Sequence, residues 1–114
     1  LLGTFVLSSG YYDAYYGTAL NMKRAITDEL REAFKKVDFI MTPTTPTPAF
    51  KIGEKSDPLS MYLADIFTVT ANISGCPSIS LPSGFTGQLP LGVLLTADLG
   101  QEEVLFKAGK AHAA

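Results

Sequence analysis

The chain has 114 residues, 46% hydrophobic and 18% charged, with nine Lys plus Arg against eleven Asp plus Glu and a formal net charge of −2; this is the composition of a globular chain of at most one domain. The balance of charge leaves no electrostatic footprint for autonomous nucleic-acid binding, and no apolar run reaches the roughly 20 residues that cross a bilayer. One Cys and one His provide neither an internal disulfide nor a metal site of the usual three or four N/S ligands.

Residues 3–17, GTFVLSSGYYDAYYG, are rich in aromatic residues and poor in charge, as expected of a buried helical segment or a strand whose Tyr hydroxyls find partners. Met22, Ile26, Leu30, Ala33, Phe34 and Val37 then recur at spacings of three and four, with Lys, Arg, Asp and Glu between them. That spacing predicts an amphipathic helix with one solvated face, on which Glu32 and Lys36 stand at the favourable i, i+4 distance. Residues 37–42 are a short apolar run, predicted as a buried strand. It leads into TPTTPTP at 42–48. Pro43, Pro46 and Pro48 lack an N–H and hold the residues before them out of the helical region, so the segment is extended and cannot be a central strand. It serves either as a stiff connector or as the rigid wall of a pocket at the strand's carboxyl end.

Asp57 followed by Pro58 is a helix start, Asp57 as N-cap and Pro58 in the first turn. Leu59, Tyr62, Leu63, Ile66 and Phe67 continue as an apolar stripe. Asp65 lies beside this stripe with no Lys or Arg within four residues on either side, so it has no local ion-pair partner. Such an acid either faces solvent or is aimed at something outside its helix. Gly75 suits a helix C′ position and Pro77 forbids continuation. Residues 78–82 alternate polar and apolar as a short strand, 83–88 are a loop, and 89–97, LPLGVLLTA, are a continuous apolar run of buried-strand type interrupted by Gly92. A last helix is predicted from Glu103 to the chain end. The order helix, strand, helix, strand, strand, helix predicts an α/β sheet with crossover connections.

The residues do not form a recognisable catalytic set. A nucleophile needs a base in reach and a group that orients the pair, whereas Cys76 and His112 stand far apart without a flanking signature. Cys76 is expected to be buried and structural, and His112 to cap its helix or face solvent. The serines include no G-x-S-x-G elbow, and the glycines form neither a phosphate-binding loop nor a dinucleotide fingerprint.

Five stretches together carry a resemblance: LGTFVLSSGYYDAYYGTA at 2–19, DFIMTPTTPTPAFKIGE at 38–54, DPLSMYLADIFTV at 57–69, the ANISGCPSISLPSGF run at 71–85 and LPLGV at 89–93. In this order and at these distances the chain resembles the carboxyl-terminal part of the A subunits of glutamyl-tRNA(Gln)/aspartyl-tRNA(Asn) amidotransferases, an amidase-signature family. Gly17, Thr70 and residues 96–104 depart from the family's pattern. The resemblance implies an α/β fold, the C-terminal part of the amidase-signature α/β/α architecture with a mixed sheet flanked by helices, so that residues 1–114 are expected to be an incomplete portion of one domain. It also implies a Ser, cis-Ser and Lys triad outside this chain that hydrolyses glutamine, and ammonia that passes to the B subunit, where misacylated tRNA is amidated. No catalytic, cofactor-binding or metal-binding residue is expected here. ATP and Mg²⁺ are used by the B subunit, tRNA is met mainly through it, and a C subunit completes the complex. Asp65 matches the family's acid that holds the α-amino group of glutamine, which would supply the charge partner its own helix lacks. The family's carboxylate-binding Arg is expected to precede Leu1. A cytoplasmic location is expected, without a membrane role. Two other functions compete: a different amidase-signature hydrolase acting on small or fatty amides, and a catalytically silent scaffold.

Overall fold

The structure, a computed structural model, describes residues 17–54 and 57–113; the aromatic-rich stretch ahead of Gly17 lies outside the described residues. In chain order the described elements are helix α1 (Gly17–Phe34), strand β1 (Phe39–Pro43), helices α2 (Pro58–Ala64) and α3 (Val69–Ser74), strands β2 (Ser78–Thr86) and β3 (Leu89–Ala97), and helix α4 (Glu102–Ala113). On α1, Ile26, Leu30, Ala33 and Phe34 are partly buried while the charged residues are exposed, as the spacing predicts. Its ion pair differs from the expected one. Glu32 takes Lys35 at 2.8 Å, one residue nearer than Lys36, because the helix ends at Phe34 and the Val37 amide bonds back to the Ala33 carbonyl at 3.2 Å.

The strands form one sheet in the order β1-β3-β2, with both pairings antiparallel. The two outer strands therefore run parallel to each other, with β3 inserted between them. The connection from β1 through α2 and α3 to β2 is a crossover, the form the element order predicts, whereas β2 reaches β3 by a hairpin. Gly87, at φ 60°, opens the two-residue turn in the left-handed region that such a turn requires at its first position. β2 is longer than expected and takes in residues 83–86. A register irregularity between Pro82 and Phe85 carries the strand past Pro82, which has no N–H for the ladder, and Gly84 adopts φ 97° there, as bulges do. β1 is an edge strand in the described sheet, not the buried strand expected. Met41 is 62% exposed.

The core follows from strand alternation. Odd-numbered residues of β3 point to one face, where Leu95 and Ala97 are buried with Leu105 of α4, and Phe39, Ile79, Leu81, Val93, Val104 and Ala108 pack around them. The other face carries the buried Leu94 beside paired hydroxyls. Ser78 and Thr96, cross-strand partners, meet at 2.8 Å, and Thr44 and Ser80 meet at 2.8 Å. The second pair passes over Gly92 of the central strand, where a Cβ would lie 2.8 Å from Thr44 Oγ1 and 3.1 Å from Ser80 Oγ. Gly92 is thus required for Thr44, the residue that follows β1, to share a hydrogen bond with β2 across the central strand.

Candidate functional site

Asp65 owes its position to helix ends. The Asp57 side chain accepts the Ser60 amide at 3.0 Å and Pro58 occupies the first turn, which starts α2 where the sequence predicts. The helix does not run on to Phe67. It stops at Ala64 with Asp65 as its C-cap, and the Asp65 carbonyl receives the Thr68 and Val69 amides, each at 3.1 Å. These bonds turn the chain directly into α3, which closes at Gly75 with φ 76°. Asp65 therefore sits at the joint between two short helices. Its backbone is pinned from both sides and its side chain is exposed.

The electrostatics at this joint are unusual. A helix C-terminus carries partial negative charge, and a carboxylate there is unfavourable unless a cation joins it. The last turn of α2 holds no basic residue, and among the described residues the Asp65 carboxylate makes no ion pair. Asp65 lines a cavity of about 280 Å³ with Pro58, Met61 and Tyr62. The spacing of three and four that unites Pro58, Met61, Tyr62 and Asp65 on one side of the helix was available in the sequence. Met61 and Tyr62 nevertheless escaped notice as site residues, because Tyr62 reads as part of an apolar stripe and Met61 falls outside it. In the structure Leu59, Met61, Tyr62, Leu63 and Ile66 are all exposed, by 49 to 76%.

The Pro-rich segment does form a wall. A second, larger cleft of about 510 Å³ lies between residues 41–49 and the end of the hairpin at Ser83 and residues 90–93. Thr44 anchors the wall by donating its amide to the Gly92 carbonyl at 3.2 Å, and Thr45 Oγ1 donates to the Thr47 carbonyl at 2.7 Å. No charged residue lines this cleft, and Asp65 is not among its lining residues.

Cys76 is 8% exposed, and its amide donates to Ser74 Oγ at 3.3 Å. The expectation of a buried Cys therefore holds. His112 is exposed in the last turn of α4, as expected, and in addition its Nε2 lies 2.5 Å from the Pro82 carbonyl, tying the end of α4 to the irregular part of β2. Thirty residues of separation hid this contact from sequence reasoning. Among the described residues no group of three or more His, Cys, Asp or Glu could hold a metal ion, and no helix is long and apolar enough to cross a membrane.

The amidase family model matches residues 1–106. The chain is 55% identical, over 93% of its length, to the first of the glutamyl-tRNA(Gln) amidotransferase A subunits of Clostridium acetobutylicum, and spans 22% of the length of that relative. The crystal structure of the glutamyl-tRNA(Gln) amidotransferase A subunit from Thermotoga maritima superposes on 92% of the chain with a TM-score of 0.81 and 48% identity, the chain covering 23% of it. A crystallised amidase superposes on 95% of the chain with a TM-score of 0.76 but only 23% identity, the chain covering 25% of it. The fold is thus shared widely, and the sequence is shared more closely with the amidotransferase subunits.

Proposed function

Because the chain belongs to the amidase family, we propose that it is the part of an amidotransferase A subunit that supplies one side of a glutamine pocket. The full-length protein hydrolyses glutamine with a Ser, cis-Ser and Lys triad carried outside this chain. The ammonia released serves a B subunit, which uses ATP and Mg²⁺ to amidate misacylated tRNA, and a C subunit completes the assembly in the cytoplasm. Identity carries this reading. The likeness in fold to the crystallised amidase is nearly as good as that to the Thermotoga maritima protein, yet identity falls from 48% to 23% between them. A general amide hydrolase would share the architecture without sharing the sequence to this degree.

Within that function Asp65 binds the α-ammonium group of glutamine. The support is physical as well as familial: a carboxylate fixed at a helix C-terminus, without a cation among the described residues, gains a charge-assisted hydrogen bond when a positive ligand arrives. The bond-making groups lie elsewhere, so the role of this chain is selection and orientation of substrate, which lowers the barrier by positioning.

The test is the substrate profile of the full-length protein. Hydrolysis of glutamine in strong preference to small aliphatic amides and fatty amides is expected. Comparable turnover of simple amides would favour the general hydrolase instead, and no turnover of any amide would favour the silent scaffold.

A further inference from the structure

Three sources of negative potential converge on the small cavity at the end of α2. The first is the Asp65 carboxylate, which makes no ion pair among the described residues. The second is the C-terminal end of α2, whose last turn has no basic residue to offset the partial negative charge of its carbonyls. The third is the ring of Tyr62, three residues before Asp65, which lines the same cavity and is 76% exposed. An aromatic face is the negative region of the ring's quadrupole and attracts cations placed over it.

We propose that Tyr62 is a specificity-determining residue, its ring face and the Asp65 carboxylate together receiving the ammonium group of an α-amino-acid amide. The proposal rests on the reading of Asp65 given above and adds a second contact to it. Pro58 and Met61 complete the wall with apolar surface. A neutral amide of the same length gains nothing from any of these groups. The cavity therefore discriminates by charge rather than by shape, and its ligand class is the amino-acid amide bearing a free α-ammonium.

The experiment compares kcat/KM of the full-length protein for glutamine and for an otherwise identical amide lacking the α-amino group. The proteins are wild type, Tyr62→Leu, Tyr62→Phe and Asp65→Asn. Leu keeps apolar bulk at an exposed position and removes the ring; Phe keeps the ring and removes the hydroxyl. The expected result is a loss of about 3- to 30-fold for glutamine in Tyr62→Leu, the range that a cation–π contact spans between exposed and desolvated sites, with the desamino amide unchanged and Tyr62→Phe close to wild type. A selective glutamine loss in Asp65→Asn alone, with Tyr62→Leu unaffected, overturns the role of Tyr62 and leaves that of Asp65 standing. Equal losses for both substrates in Tyr62→Leu make the ring a general wall and also overturn the proposal. A loss in Tyr62→Phe as large as in Tyr62→Leu assigns the effect to the hydroxyl and overturns the ring-face contact. If Asp65→Asn shows no selectivity for glutamine, both readings fall together.

Discussion

Two glycines show how much a single position depends on surroundings that the sequence does not display. A Cβ at Gly92 would lie 2.8 Å from Thr44 Oγ1 and 3.2 Å from Thr44 Cβ. Thr is branched and stiff at that carbon, so Gly92→Ala must displace β1 or break the Thr44–Ser80 hydrogen bond, and a loss of about 1–3 kcal/mol is expected from overpacking. Gly109, in α4, is the opposite case. Its nearest neighbour would be Leu81 Cδ2 at 3.5 Å, an ordinary contact, so Gly109→Ala is expected to add about 0.5–1 kcal/mol through helix propensity alone. Denaturant titration of the full-length protein checks both, and a destabilised Gly109→Ala or an unperturbed Gly92→Ala would contradict this account of the packing. In the sequence Gly92 reads only as an interruption of an apolar run, and Gly109 carries no signal of its own within the last helix. The different requirements come from what crosses over each one. Asp65 was easier to single out, since the absence of nearby Lys or Arg is a property of the sequence itself; Tyr62 stands three residues before it in the same sequence but reads there as part of an apolar stripe.

Elements whose ends carry their own chemistry were legible. Asp57 with Pro58 starts α2, Gly75 before Pro77 closes α3, and the apolar run 89–97 is β3 with the same bounds. The boundaries that escaped were set by tertiary or local hydrogen bonding. β2 continues past Pro82 because the hairpin partner carries it through an irregular register, and α2 ends early because the Asp65 carbonyl is taken by the Thr68 and Val69 amides. The N-cap of α2 holds the helix on which Asp65 is mounted. Asp57→Ala removes the acceptor of the Ser60 amide and is expected to cost about 1 kcal/mol, within the usual range for such caps. Amide hydrogen exchange at Ser60 should accelerate accordingly, while the core strand β3 keeps its protection. Unchanged protection at Ser60 would mean that Pro58 and the connection to α3 define the helix without the cap.

At the scale of the whole chain, the buried hydrophobic residues number only five among those described: Cys76, Leu94, Leu95, Ala97 and Leu105. Leu105→Ala, in the middle of this small core, is expected to cost about 2–5 kcal/mol. Against that core stand Ile52, Leu59, Tyr62, Phe85 and Phe106, each more than 60% exposed, and the outer edges of β1 and β2, which have no strand neighbour among the described residues. Exposed apolar surface and open strand edges template association. Expressed alone, the 114-residue chain is therefore expected to aggregate or fold partially. A monomer that unfolds in one cooperative transition would contradict this expectation. The α/β class and the crossover between β1 and β2 could be read from the order of elements. The insertion of β3 between them could not, because apolar runs specify burial and not sheet order. The function proposed for the full-length protein converges on Asp65, and the most direct measurement of it is the ratio of kcat/KM for glutamine to that for its desamino analogue, in wild type and in Asp65→Ala. Loss of a hydrogen bond to a charged group, worth about 1.5–3 kcal/mol, predicts that this ratio falls by about 10- to 150-fold, through glutamine alone. An unchanged ratio, whether both substrates are hydrolysed normally or both equally slowly, would make Asp65 a structural helix cap and contradict the account.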